Sequence, residues 1–426
     1  MKIGNDRHRS FIWTILYTIV IFLVVYNPPV SQSYSFTILA VIISLGYILI
    51  NFRTLSRAFS QKVIKYTFSF FLIFYIYYSV EAVILGLGSN DNLVIETYKT
   101  TTVSFVSFFA VSFAIAIYAL KRRMSFEYLC KLYVYAAIFQ SVIALICLAL
   151  PPVKEALNAY SYINSDSDLV KNGLEFSFDR RNYGFASTLN DIFGFAMSLI
   201  GIISISFAIG GKKIYYLFGF IFAIVAGING RSGFFIFIIG FVVCMLSSRN
   251  NKISASSLSR VVFLFLFLGG VAILFSWIQD NANTEQLAWL ASAVDDTKSL
   301  SQGKTTGYFD TLFNDFLFFP DGISLIFGTG LTPYDVIKKN SDVGYVQNIW
   351  SYGIIGSFLL YMFYYNLLKA AYKRLEWPNS TMLKSFLIMI FIYQVKLTCF
   401  GYSMASVIFG PLCFYVLCSK NFNNKI

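Results

Sequence analysis

Histidine is nearly absent from this chain: of 426 residues only His8 is one. That removes a histidine-built metal centre and a histidine proton carrier anywhere beyond the amino terminus. Charge is scarce as well. Asp, Glu, Lys and Arg make up 13% of the residues, about half the ~25% of an average soluble domain. Alternating ten-residue strands are missing, which excludes an outer-membrane barrel. The six cysteines stand at 130, 147, 244, 399, 413 and 418, none of them in the longest polar stretches, so no disulfide framework staples those stretches. No internal repeat is visible, and no polar segment is large enough to fold as a soluble domain.

Hydrocarbon is what the chain has in excess. It is 57% hydrophobic, with 46 Phe and 29 Tyr. Apolar runs long enough for membrane helices recur along its length. They predict twelve spans: 10–27, 33–51, 64–86, 100–120, 128–150, 188–210, 214–230, 233–248, 260–278, 344–366, 381–397 and 402–418. The expected fold is an all-α polytopic membrane protein, one integral-membrane unit over 1–426, with both termini on the cytoplasmic side.

The net charge of +12 follows the same topology. With the amino terminus inside, 22 of the 33 Lys and Arg fall on the inner face beside only three acids, Asp6, Glu127 and Glu376. The outer face holds 11 cations and 18 acids. Short loops such as KRR at 121–123 carry the bias, as the positive-inside rule requires. The basic excess therefore reports orientation, and no nucleic-acid partner is implied. Lys2, Arg7 and Arg9 precede the first span, and no small-x-small cleavage site follows it; a retained signal anchor is expected.

Two outer loops are long, about 151–187 and about 279–343, and long loops tend to carry function. The second contains helical patterns at 284–294 and 308–319, which favour a folded cap. Within the latter, Phe309, Leu312, Phe313, Phe316 and Leu317 form a stripe expected on an interfacial amphipathic helix.

Between Ile214 and Ser248 the single charge is Arg231, inside GINGRSGFF. One continuous helix would bury that guanidinium at its middle. Gly227, Gly230 and Gly233 argue instead for a hairpin of two short arms, the first of roughly 24 Å at 1.5 Å per residue. Its tip would lie just below the outer surface, where Ser232 can cap the returning helix and its free N–H groups can hold an anion. The plainer alternative is a snorkelling interfacial arginine.

A second cluster, FDRRNYGFASTLNDIFGF at 178–195, brings Arg180, Arg181, Asn190 and Asp191 to the start of a span. The arginines also suit interfacial anchors, and Asn190 and Asp191 suit helix N-caps. A third cluster ends the second long loop: IFGTGL at 326–331, then SDVGYVQNIWSYGIIG at 341–356. Its glycines lack the strand–GxGxxG–helix setting of a nucleotide site. Asp342 is either a helix cap or a base facing a cavity, with Lys338 and Lys339 able to favour its ionised form if they lie close.

These clusters, in this order, resemble the Wzy-type polysaccharide polymerases and the related O-antigen ligases. The matching stretches are RNYGF…N at 181–190, GRSG at 230–233, GKTTGYF at 303–309, and the two of the third cluster; together they span residues 180–356, about two fifths of the chain, and the rest matches in topology alone. Two departures stand out. Lys304 occupies the place of an arginine, and Asp342 the place of the ligases' histidine, which favours polymerase over ligase. The resemblance implies an enzyme of the bacterial inner membrane. It would transfer a growing glycan from undecaprenyl diphosphate to a lipid-linked oligosaccharide repeat unit. It further implies membrane lipid and a chain-length regulator protein as partners. No cofactor and no metal are implied.

The roles expected from it follow charge. Arg231, Arg181 and Lys304 would meet the leaving diphosphate, and Asp342 would take the proton of the acceptor hydroxyl. Arg180, Asn190, Ser232 and Tyr345 would bind substrate. Tyr308, Tyr334, Tyr345 and Trp350 have the rings to stack on sugars, although aromatic belts at the membrane surface account for such residues too. The main rival is a lipid-linked oligosaccharide flippase or other transporter. It would be expected to show two similar halves and mid-membrane charges; Glu81 and Lys396 are instead expected near outer ends, snorkelling.

Overall fold

A computed structural model describes residues 11–28, 36–89, 92–163, 184–186, 191–247, 269–270, 276, 312–339 and 341–423. Every regular element among them is helical. The helices are α1 (Phe11–Tyr26), α2 (Phe36–Ile50), α3 (Phe52–Phe59), α4 (Lys62–Ser89), α5 (Asn92–Lys121), α6 (Phe126–Ala149), α7 (Pro151–Ile163) and α8 (Asp191–Ile209). They continue with α9 (Ile214–Asn229), α10 (Arg231–Leu246), α11 (Ile323–Phe327), α12 (Pro333–Ile337), α13 (Gly344–Tyr372), α14 (Asn379–Tyr393) and α15 (Met404–Asn423). Each apolar run expected to span coincides with a helix, except 260–278, which lies almost wholly outside the described residues. Among the described residues five helices, α4, α5, α6, α8 and α13, are long and apolar enough to cross a membrane. A sixth candidate is α2 with α3, bent by 80° at Asn51. The apolar run at 33–51 thus turns sharply at its end into a basic, amphipathic helix.

Position in the bundle follows composition. The helix α8 is apolar on every side, and Phe193 through Ala208 are all buried, which makes it the central rod. By contrast α1, α2 and α4 turn large side chains outward, among them Phe11, Ile42, Leu49, Leu72 and Ile84. A chain surrounded by lipid can leave such side chains exposed; in water they would form aggregation-prone patches. All six cysteines are buried thiols.

The expected hairpin is present. Gly219 of α9 lies against Gly201 and Ile205, and farther along Ala226 and Gly230 lie against Gly194. The chain then reverses: in α10, Gly233 lies against Gly194, Phe237 against Gly201 and Gly240 against Ile202. Both arms therefore run beside α8, in opposite directions, with the turn at Gly230. A Cβ on Gly233 would stand 2.5 Å from the carbonyl carbon of Gly194, so glycine is what lets the backbones meet, as small residues do at membrane helix interfaces. Ser198 Oγ bridges the contact, 2.8 Å from Gly194 O and 2.6 Å from Gly233 O.

The two glycine motifs of the third cluster also meet. The helix α13 breaks at Gly353, where φ is 62° and ψ −176°, a conformation essentially reserved for glycine. The carbonyls near the break are taken up by the 326–331 turn. Thr329 N donates to Trp350 O at 2.8 Å, and Gly330 N to Ser351 O at 3.2 Å. No side chain fits between the two backbones, since a Cβ on Gly353 would stand 2.3 Å from Ile326 O. Gly353→Ala should therefore cost more than the roughly 1–3 kcal/mol of backbone strain alone. A thermal-unfolding midpoint in detergent that stayed unchanged would contradict this.

Several expectations are corrected here. Glu81 does not snorkel: it is buried, beside the same turn, where a Cβ on Gly328 would stand 2.7 Å from its Oε1. Trp350 is buried with Val343 and Val346, and its Nε1 donates to Phe318 O at 3.1 Å. Packing has withdrawn it from any sugar. The stripe at 309–317 is not a long helix where it is described: a single π-turn, Leu312–Phe316, gives way to irregular chain through Pro320. Phe316 packs on the Trp350 cluster, and that tertiary contact overrides the local periodicity. Phe309 lies outside the described residues.

Candidate functional site

Asp191 opens α8, and the backbone of the hairpin turn rests on it: a Cβ on Gly230 would stand 2.8 Å from Asp191 Oδ1. The next residue, Arg231, opens α10 and is partly buried. The N-cap of α10 is Gly230, with no side-chain cap. Ser232 is therefore already inside the helix and does not cap it, contrary to expectation. Its hydroxyl is buried without a hydrogen-bond partner, within the first turn of α10. The positive end of the α10 dipole thus opens beside a carboxylate and a guanidinium.

Asp342 reaches the same place by a different route. The start of α13 is clamped to the turn after α14. Tyr345 N donates to Gln394 O at 3.2 Å, and Tyr345 Oη donates to Phe391 O at 2.7 Å. Asn348 Nδ2 donates to Tyr361 Oη at 2.9 Å and to Gln394 Oε1 at 3.4 Å. Gly344 lies so close that a Cβ there would stand 2.6 Å from Thr398 N. In the same turn burial pushes the Cys399 thiol up to about 12, so it is no nucleophile at neutral pH.

The clamp sets Lys396 between two acids. Its Nζ lies 3.1 Å from Asp342 Oδ2 and 3.6 Å from Asp191 Oδ2. Side-chain exposure separates the acids: 13% for Asp191 and 46% for Asp342. Asp342 is the more accessible acid, and Asp191 is the more enclosed one. An ion pair as exposed as Lys396–Asp342 contributes only about 0–1 kcal/mol to stability, which is a weak reason for three charged residues to share one spot.

Asp342 is not a helix cap: Val343 holds the N-cap position of α13, and no side chain caps it. Its lysine neighbours in sequence turn to aromatic rings instead. Lys338 lies over the Tyr334 ring at 5.4 Å and Lys339 over Phe318 at 4.7 Å. Lys396 was expected to snorkel alone and instead pairs with both acids. Tyr345 spends its hydroxyl on Phe391 and packs its ring edge-on to Tyr361, 5.4 Å between centroids. Asp335 is held in a capping box with Thr332, a structural task. Arg180, Arg181, Asn190, Lys304 and Tyr308 lie outside the described residues.

Sequence reasoning missed Lys396 and gave Asp191 only a capping role. A signal existed in Asn348 and Gln394, two amides inside apolar runs, which need polar partners when buried. Their pairing brings the two strands of sequence together. Among the described residues no group of three His, Cys, Asp or Glu side chains gathers. No protein-family model matches this sequence, and no curated protein matches it either.

Proposed function

We propose that the chain is a polysaccharide polymerase with twelve spans and cytoplasmic termini. It transfers a growing glycan from undecaprenyl diphosphate to the terminal hydroxyl of a lipid-linked repeat unit. One observation carries the reading: Lys396 joins Asp342 and Asp191 at the tip of the hairpin that begins α10 with Arg231. The helix ends that meet there belong on the outer side if the termini are inside, which is where such substrates are displayed.

In this reading the acceptor oxygen attacks the anomeric carbon of the donor glycan. The bond from that carbon to the diphosphate oxygen breaks, and the diphosphate leaves with the electron pair. Charge therefore grows on the phosphates, and Arg231 with the α10 N-terminus meets it by preorganised electrostatics. The acceptor proton passes to Asp342, which releases it to solvent. Lys396, anchored by Asp191, fixes the direction of the Asp342 carboxylate. Arg181 and Lys304 add cations from the outer loops, with Arg180, Asn190, Ser232 and Tyr345 at the substrate.

The test is the lipopolysaccharide or capsule profile of a deletion strain. Loss of a polymerase leaves single repeat units on the lipid acceptor and no ladder. Complete absence of attached units would point to a ligase, and units trapped inside the cell to a flippase. Orientation is checked separately. Alkaline phosphatase fused within 279–343 should be active, and fused at 211–213 it should be inactive; the reverse pattern would remove the site from the outer face.

A further inference from the structure

At the opposite, basic end of the bundle, α1, α2, α5 and α6 surround a cavity of about 450 Å³, within the roughly 300–1,000 Å³ of small-molecule pockets. It is nearly all hydrocarbon, and its side wall is open to the surroundings through Trp13, Leu16, Val20 and Ile43, which are 45–61% exposed. Three tyrosine rings close one end. Tyr17 and Tyr47 both pack edge-on to Tyr118, at 5.7 and 6.0 Å.

One cation stands directly over these rings. The Arg122 guanidinium lies 5.6 Å from the Tyr118 ring centre. Lys121 donates to the Asn51 side chain, at the bend that folds α3 across this end of the bundle. Arg53 and Arg57 on α3 and Arg123 beside Arg122 are all exposed. Glu127, the acid in the first turn of α6, pairs with Lys212 at 3.0 Å and leaves this rim basic. An apolar slot beneath a cluster of cations fits a molecule with a hydrocarbon tail and an anionic head.

We infer that this cavity holds one acyl chain of an anionic phospholipid, with the lipid phosphate seated on Lys121 and Arg122. The site is separate from the outer cluster and does not depend on the polymerase reading. The aromatic ring beneath Arg122 keeps that guanidinium extended over the slot, and Asn51 does the same for Lys121. Basic pockets between helices are a recurrent way of holding anionic lipid headgroups.

Native mass spectrometry of the full chain in detergent tests this with three probes: phosphatidylglycerol, phosphatidylcholine and the chain-free headgroup glycerophosphoglycerol. One phosphatidylglycerol should be retained at a tenfold or lower concentration than phosphatidylcholine, and the headgroup alone should not bind. The double variant Lys121→Gln, Arg122→Gln should erase the preference for the anionic lipid. The filling variant Ser44→Leu, at a buried position lining the slot, should weaken retention of both lipids, with an unchanged elution volume as the folding control. Equal retention of the two lipids, binding of the headgroup alone, or a preference that survives the double variant would each overturn the assignment.

Discussion

Arg231→Ala is expected to abolish polymer at normal protein abundance, and Arg231→Lys to restore a fraction of it. Removing one preorganised charge contact from a developing anion typically costs ~3 kcal/mol, about a hundredfold in rate. The lysine variant keeps the charge and loses the planar fork that matches two phosphate oxygens at once. Position strengthens the expectation. The side chain leaves the first residue of α10, so helix dipole and guanidinium act on the same anion. Substitution there should leave the fold intact, because Gly230 and Gly233 make the tight packing of the turn. A full-length ladder from the alanine variant would reduce Arg231 to a surface anchor.

The second large effect belongs to Asp342. General-base assistance is typically worth about 10²–10⁴ in rate, and Asp342→Asn should lose that much in a purified assay with lipid-linked repeat units. The amide retains the shape and still accepts a hydrogen bond from Lys396, so abundance and thermal midpoint should hardly move. Asp342→Glu keeps the charge and shifts it by about one bond length; it should fall between the wild type and asparagine. Asp191→Asn is the informative companion. In the proposed mechanism Asp191, the less exposed acid, is a positioning residue, and its loss should lower turnover less than the loss of Asp342 does, while conservative Asp191→Glu should rescue in part. Normal turnover by Asp342→Asn would take Asp342 out of the chemistry.

Much of this architecture was legible in the chain because the physics behind it is local. Apolar runs fall on helices since backbone groups in lipid must bond within their own segment. The hairpin at Gly230 was legible because an isolated arginine among glycines leaves few alternatives. The lysine between two acids was not. Asp191, Asp342 and Lys396 lie far apart in the chain, and each alone has a plain role as cap or interfacial anchor. The clamp of α13 on the turn after α14, made by Gly344, Asn348 and Gln394, brings Asp342 to Lys396, and the stacking of Phe195 on Tyr393 sets α8, with Asp191, beside that turn. The same kind of tertiary contact buried Trp350 and Glu81 and interrupted the stripe at 309–317. Periodicity reports which face of a helix is apolar; it says nothing about which neighbour that face will meet.

The hairpin has a further consequence for the membrane around it. Its arms α9 and α10 have 16 residues each, about 24 Å of helix at 1.5 Å per residue, against a hydrocarbon layer of roughly 30 Å. Such a mismatch is relieved by local thinning of the bilayer or by flanking polar groups reaching outward, at a fraction of a kcal/mol per Å. If the hairpin spans in the proposed orientation, the outer leaflet beside it would be drawn inward by several Å. In the proposed reaction a lipid-borne diphosphate at headgroup depth would sink with that leaflet toward Arg231 and meet its cation without being lifted out of the membrane.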